Sequence, residues 1–176
     1  NLPCETTHIL VGGSTVEHGR TCAVISAIKR VNRLPVILFP GDSSQISSEA
    51  DALLFLSLIS GRNPEFLIEQ QVRSVEKIKS SDLEVIPTGY ILIDGGRETS
   101  VQKVSKTVPI NQKEVKLVVN TALAGQYSGK QLIYLEAGSG AEYPVSSEII
   151  KAVSSNLEIP VIVGGGIRTQ QQMQNA

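Results

Sequence analysis

The residues best suited to chemistry fall in two short stretches. The first is Tyr134-Leu135-Glu136-Ala137-Gly138-Ser139-Gly140, where an apolar run ends in an acid and then in three small residues. The second is Val161-Ile162-Val163, closed by Gly164-Gly165-Gly166 and followed by Ile167-Arg168-Thr169. Glycine lets backbone N–H groups approach an anion closely, and a following helix N-terminus adds partial positive charge. Two such loops predict a phosphate cradle built from Gly138, Ser139, Gly140, Gly165 and Gly166, against the plainer reading of ordinary tight turns. Glu136, an acid at the carboxyl end of an apolar strand, predicts a side chain that holds a hydroxyl and accepts its proton. Burial would raise its pKa toward that role. The structural alternative is a carboxylate paired with Arg168 or Lys130. Tyr134 is two residues from Glu136, so both side chains point the same way along a strand. It reads as a substrate contact or as a core tyrosine.

These loops need elements to carry them. Short apolar runs recur at His8–Val11, Val36–Phe39, Ala52–Leu58, Glu84–Ile93 (broken around Pro87-Thr88-Gly89), Leu132–Leu135 and Val161–Val163. Helical spacing predicts helices over Val16–Val31 with Thr15 as cap, Glu65–Ile78 after Pro64, Asn111–Tyr127, Glu148–Leu157, and from Thr169 to Ala176. Leu67, Ile68, Val72 and Val75 would share one apolar helix face. Residues 96–109 form the longest polar connection and read as a loop of the kind that often serves as a lid. Continuous apolar strands alternating with helices mean strands buried on both faces, as in parallel sheets. A doubly wound open sheet and a (β/α)₈ barrel both fit, and both place sites at strand carboxyl ends. Small residues at nearly every strand end favour the barrel, whose loops face one mouth. A barrel takes about 250 residues and this chain shows about six strands, so it reads as a single barrel domain over residues 1–176, incomplete at both ends.

Bulk properties exclude several classes. The chain has 176 residues, 41% hydrophobic and 19% charged, with a net charge of −1. That balance makes no electrostatic case for nucleic acid or an anionic membrane. No apolar run approaches the roughly 20 residues of a membrane span. Cys4 and Cys22 have no metal-ligand spacing with His8 or His18, and they read as reduced thiols in a cytoplasmic protein. Asp42 and Asp94 end strands, where turns favour Asp. Arg97, Lys103 and Lys106 read as a solvated face. Leu53, Phe55, Phe39, Ile86, Tyr90 and Leu92 could line an apolar groove, although most such residues are core. No lysine is placed at a strand end for Schiff-base chemistry.

Tyr134-Leu-Glu-Ala-Gly-Ser-Gly-Ala141 together with Gly164-Gly-Gly-Ile-Arg168 resembles geranylgeranylglyceryl phosphate synthases and their bacterial homologues. Val11-Gly-Gly-Ser-Thr15, Pro35-Val-Ile-Leu-Phe-Pro-Gly41 and Ile86-Pro-Thr-Gly-Tyr-Ile-Leu-Ile93 agree in the same order. The resemblance implies a modified TIM barrel whose first and last β/α units are missing from this sequence. It implies a prenyltransferase that joins a polyprenyl diphosphate to the 3-hydroxyl of sn-glycerol 1-phosphate, releasing diphosphate with Mg²⁺. It further implies that Tyr134, Leu135, Glu136, Ala137, Gly138, Ser139, Gly140, Gly165 and Gly166 bind the glycerol phosphate. Ser14, by the same resemblance, contributes to the Mg²⁺ site; from its position alone it is equally a helix cap. Family members assemble as dimers or hexamers. The alternatives are another phosphate-binding TIM-barrel isomerase or lyase, and a non-catalytic truncated homologue that binds a phosphate ligand.

Overall fold

The computed structural model describes residues 5–17 and 19–176. Cys4 and His18 lie outside the described residues. The chain divides into two compact units, one of Asn1–Phe55 with Glu69–Ile86, the other of Leu56–Ile68 with Pro87–Ala176.

The first unit holds β1 (Ile9–Val11), α1 (Arg20–Val31), β2 (Val36–Leu38), a 3₁₀ turn at Ser43–Gln45 and the start of β3 (Ala52–Leu58). It also holds α2 (Gln70–Lys79) and the start of β4 (Glu84–Leu92). β1 and β2 pair in parallel with Ile9 opposite Val36, and β2 pairs with β3 with Ile37 opposite Ala52. Its core is Val11, Ile25, Val36, Leu38, Leu53 and Leu83, with Phe55 packed against it.

The second unit holds the rest of β3 and β4, α3 (Ser100–Ser105), α4 (Val115–Tyr127) and β5 (Leu132–Glu136). α5 (Ser147–Ser154), β6 (Val161–Gly164) and α6 (Gln170–Gln174) complete it. Tyr90 of β4 sits opposite Tyr134 of β5, and Glu136 of β5 opposite Gly164 of β6. Odd-numbered strand residues Ile91, Ile93, Ile133 and Leu135 form the core with Val118, Ala122, Ile149 and Val153 of α4 and α5. Even-numbered Tyr90, Tyr134 and Glu136 therefore share the other face.

Strand order is chain order, β1-β2-β3-β4-β5-β6. An open doubly wound sheet reverses its order at a switch point. Unbroken parallel order, with α-helical crossovers except between β2 and β3, is the winding of a TIM barrel, so the fold class is α/β of that type.

Several expected boundaries shift for physical reasons. α1 starts at Arg20, not Val16, because Gly19 precedes it in the left-handed region (φ 80°), and its cap position is Gly19, not Thr15. The helix expected from Glu65 opens as a π turn over Glu65–Glu69 before α2. The expected apolar face does not turn inward: Ile68, Val72 and Val75 are 53%, 61% and 42% exposed, while Gln71 and Ser74 are buried. Spacing shows which residues share a face but not which face is covered. Residues 96–109 are not a bare loop, since Thr99 caps α3 by accepting from Gln102 N at 3.4 Å. Asn111 makes a side-chain turn to Lys113 N (2.9 Å), which delays α4 to Val115. Leu53 belongs to the first unit's core, and Phe55, partly buried, packs against it.

Asp51 ties β2 to β3. Its carboxylate accepts from Val36 N (2.7 Å) and from Lys29 Nζ (2.7 Å). The Lys29 hydrogen bond, then the Val36 N–H, holds its pKa below the usual value. A depressed carboxylate contributes stability above its unfolded pKa of about 3.9 and loses it as pH falls through the lower folded value. Asp51→Asn should therefore cost at most ~1 kcal/mol near neutrality, because the pair is partly exposed. Denaturant melts at a series of pH values should show that gap closing below about pH 4.

Candidate functional site

β5 ends in Glu136, which is only 7% exposed. Three neighbours seat its carboxylate. Gly138 N donates to Oε1 at 2.6 Å, two residues along the same turn. The Tyr90 hydroxyl, from β4, is hydrogen-bonded to the carboxylate. Gly165, in the loop after β6, lies so close that a Cβ there would collide with Oε1 and with the Gly138 backbone. Desolvation raises the Glu136 pKa, and the Gly138 and Tyr90 hydrogen bonds oppose that rise. Neither ion pair of the structural alternative forms: Lys130 Nζ donates to Ser57 Oγ (3.0 Å), and Arg168 donates to Ala141 O (2.7 Å).

Tyr134 stacks on Tyr90, with ring centroids 5.6 Å apart and planes 7° from parallel. Its hydroxyl lies against Gly164, where a Cβ would clash with it. Burial, then the Glu136 charge, pushes the Tyr134 pKa well up, so the phenol stays protonated. Burial does the same to Tyr90, with Glu136 as the second cause.

The two small-residue loops meet here. Ala137 N donates to Gly164 O at 3.0 Å. Gly138, Gly140, Gly165 and Gly166 all have positive φ, from 71° to 101°. The N–H of Gly138 is engaged by Glu136, so this residue serves the carboxylate. Ser139 and Gly140 are exposed, and Gly165 and Gly166 are half-buried. Leu135 and Ala137 turn their side chains into the α4–α5 core, leaving only their backbones on the site side.

Sequence reasoning missed the groups that hold this site together. Thr99 packs on Gly138, and a Cβ there would collide with its Cγ2. Gln112 bridges the loops after β4 and β5, donating to Asp94 O (2.8 Å) and Pro144 O (3.1 Å) and accepting from Ser146 N (2.8 Å). Tyr90 was legible only as a strand residue that could line an apolar groove. None carries a local signal, because each acts through a partner distant in sequence.

Ser14 belongs to the first unit and is half-buried. Its loop packs on the one after β2, where a Cβ on Gly41 would meet Gly13 O and Ser14. Gln45 donates to Gly13 O at 2.8 Å. Among the described residues no group of three His, Cys, Asp or Glu stands ready to hold a metal. Asp42 and Asp94 cap turns, accepting from Ser44 N (2.7 Å) and Gly96 N (2.9 Å). Lys103 pairs with Glu98 at 3.3 Å on the surface.

A family model described as PcrB family matches residues 3–176. The chain belongs to the PcrB family. PcrB relatives include the geranylgeranylglyceryl phosphate synthase of Zunongwangia profunda, 56% identical over 99% of this chain and 75% of the relative. That of Pyrococcus abyssi is 46% identical over 94% of this chain and 66% of the relative. Among solved structures, the (S)-3-O-geranylgeranylglyceryl phosphate synthase of Thermoplasma acidophilum in complex with sn-glycerol-1-phosphate superposes with a TM-score of 0.91 at 41% identity. It matches over 97% of this chain and 69% of that one. This PcrB-family chain thus spans two thirds to three quarters of the length of these relatives.

The loop packing makes a separable prediction. Gly165→Ala and Gly140→Ala both force a side chain to positive φ, at about 1–2 kcal/mol each. Only Gly165 has a neighbour in the way, whereas nothing lies within 4 Å of a Cβ at Gly140. Denaturant midpoints should show Gly165→Ala losing clearly more stability than Gly140→Ala.

Proposed function

We propose that this chain carries the acceptor half of a prenyltransferase site. It joins the 3-hydroxyl of sn-glycerol 1-phosphate to C1 of a geranylgeranyl-type polyprenyl diphosphate, forming an ether-lipid precursor. The observation that carries the reading is the buried Glu136 carboxylate set beside two positive-φ glycine loops. The loops through Ser139, Gly140, Gly165 and Gly166 hold the phosphate through backbone N–H groups. The phosphate then delivers the glycerol hydroxyl to Glu136, and the protonated Tyr134 hydroxyl contributes a further hydrogen bond.

In the reaction the glycerol O3–H bond breaks and its proton passes to Glu136. The O3–C1 ether bond forms as the C1–O bond to diphosphate breaks, and diphosphate departs with the electron pair. Mg²⁺, when bound, would supply charge neutralisation for a departing diphosphate, and Ser14 of the first unit would offer it one hard oxygen ligand. The described residues offer no carboxylate cluster to cage the ion, so no step is assigned to it. A homo-oligomer, dimer or hexamer, belongs to the same reading and is supported by the exposed Ile68, Val72 and Val75. So does a cytoplasmic location, in keeping with the free Cys22 thiol. No helix among the described residues is long and apolar enough to cross a membrane.

Calorimetric titration with sn-glycerol 1-phosphate, followed by an assay with polyprenyl diphosphates and Mg²⁺, tests the reading. Saturable binding and ether product support it, and no binding overturns it. Binding without turnover marks a non-catalytic homologue. Glu136→Gln should lower kcat by about 10²- to 10⁴-fold while the melting temperature holds. Wild-type turnover in that variant would remove Glu136 from the mechanism.

A further inference from the structure

Tyr90 has no part in the chemistry above, yet it is only 6% exposed and reaches the one carboxylate that does. Two constraints fix its ring. The β4–β5 register sets it directly opposite Tyr134, and the two rings stack. A stacked ring in register can aim its hydroxyl along the strand toward the next same-face residue of β5, which is Glu136.

We infer that Tyr90 is a positioning residue for ether formation, its hydroxyl donating to the Glu136 carboxylate and fixing, with Gly138 N, the direction in which the remaining oxygen lone pairs face. The inference rests on the reading of Glu136 as proton acceptor. An ionised carboxylate offers about four acceptor positions. With two filled by protein donors, and with Gly165 packed against Oε1, the carboxylate cannot swing. The open positions are then held for the substrate hydroxyl, which is the geometric requirement for proton transfer.

The same two donors reduce the cost of burying the charge. The ionisable groups around Glu136 support this assignment. Tyr134, on its own strand, stays protonated. The loop after β6 meets the carboxylate at Gly165, which carries no ionisable group. Lys130 and Arg168 are engaged elsewhere, and the Asp94 carboxylate accepts from Gly96 N. Tyr90 is thus the side-chain donor that opposes the rise burial imposes on the Glu136 pKa.

Tyr90→Phe keeps the ring stack and removes only the hydroxyl. Its melting temperature and glycerol phosphate affinity should stay near wild type, while kcat falls about 10- to 100-fold, the worth of a hydrogen bond to a charged group. The acid limb of the pH–rate profile should move to higher pH, because losing a donor raises the Glu136 pKa. Placing 3-fluorotyrosine at position 90, a stronger donor of nearly the same shape, should move the limb the other way, and this arm stands even if Tyr90→Phe folds poorly. An unmoved acid limb in both variants, with Glu136→Gln inactive, would make Tyr90 purely structural and overturn the inference. Wild-type turnover in Glu136→Gln would instead overturn the reading of Glu136 on which it rests.

Discussion

A carboxylate buried at the end of an apolar strand is the constraint around which the second unit is arranged. Removing a charge from water is costly unless donors replace the lost hydration. At Glu136 the replacement comes from Gly138 N and the Tyr90 hydroxyl. Each donor imposes a local requirement. Gly138 must turn back at a positive φ of 101° directly after the strand. Tyr90 must lie in register across from Tyr134, which requires β4 and β5 to pair as they do. The third neighbour, Gly165, must lack a side chain because the carboxylate occupies that space.

The parallel sheet makes this arrangement possible. Its strands divide their residues by parity, with Ile91, Ile133 and Leu135 facing the helices and Tyr90, Tyr134 and Glu136 the other side. An apolar cluster on the helix side stabilises the unit. Burying an isoleucine or leucine there contributes roughly 1.5–3 kcal/mol. The polar groups on the opposite face are thereby released from carrying the fold. Gln112 and Thr99 then lock the loops after β4 and β5 against one another, so the glycine loops are braced despite their backbone freedom.

Where sequence reasoning failed, the failures share a cause. The stripe of Ile68, Val72 and Val75 has helical spacing, yet α2 buries Gln71 and Ser74 instead. α3 was not foreseen because Ser100–Ser105 offers only Val101 and Val104 as apolar residues, too few for a periodic signal. The structural alternative for Glu136, a pair with Arg168 or Lys130, does not form because each cation is bound to another oxygen. Local pattern reports what a segment can do; the competing partners come from elsewhere in the chain.

The sequence by itself determined the class of fold, the places of the six strands among the described residues and the two glycine loops. It also determined the identity of the acid between them. Continuous apolar runs, glycine after a strand and a lone glutamate within one are local facts with direct physical meaning. The tertiary structure alone decided that Gly138 serves the carboxylate, that Tyr90 donates to it, and that Leu135 and Ala137 face the core. It also decided which face of α2 meets solvent. These depend on strand register and on contacts between residues far apart in the chain, where a shift of one residue reverses every side chain's direction.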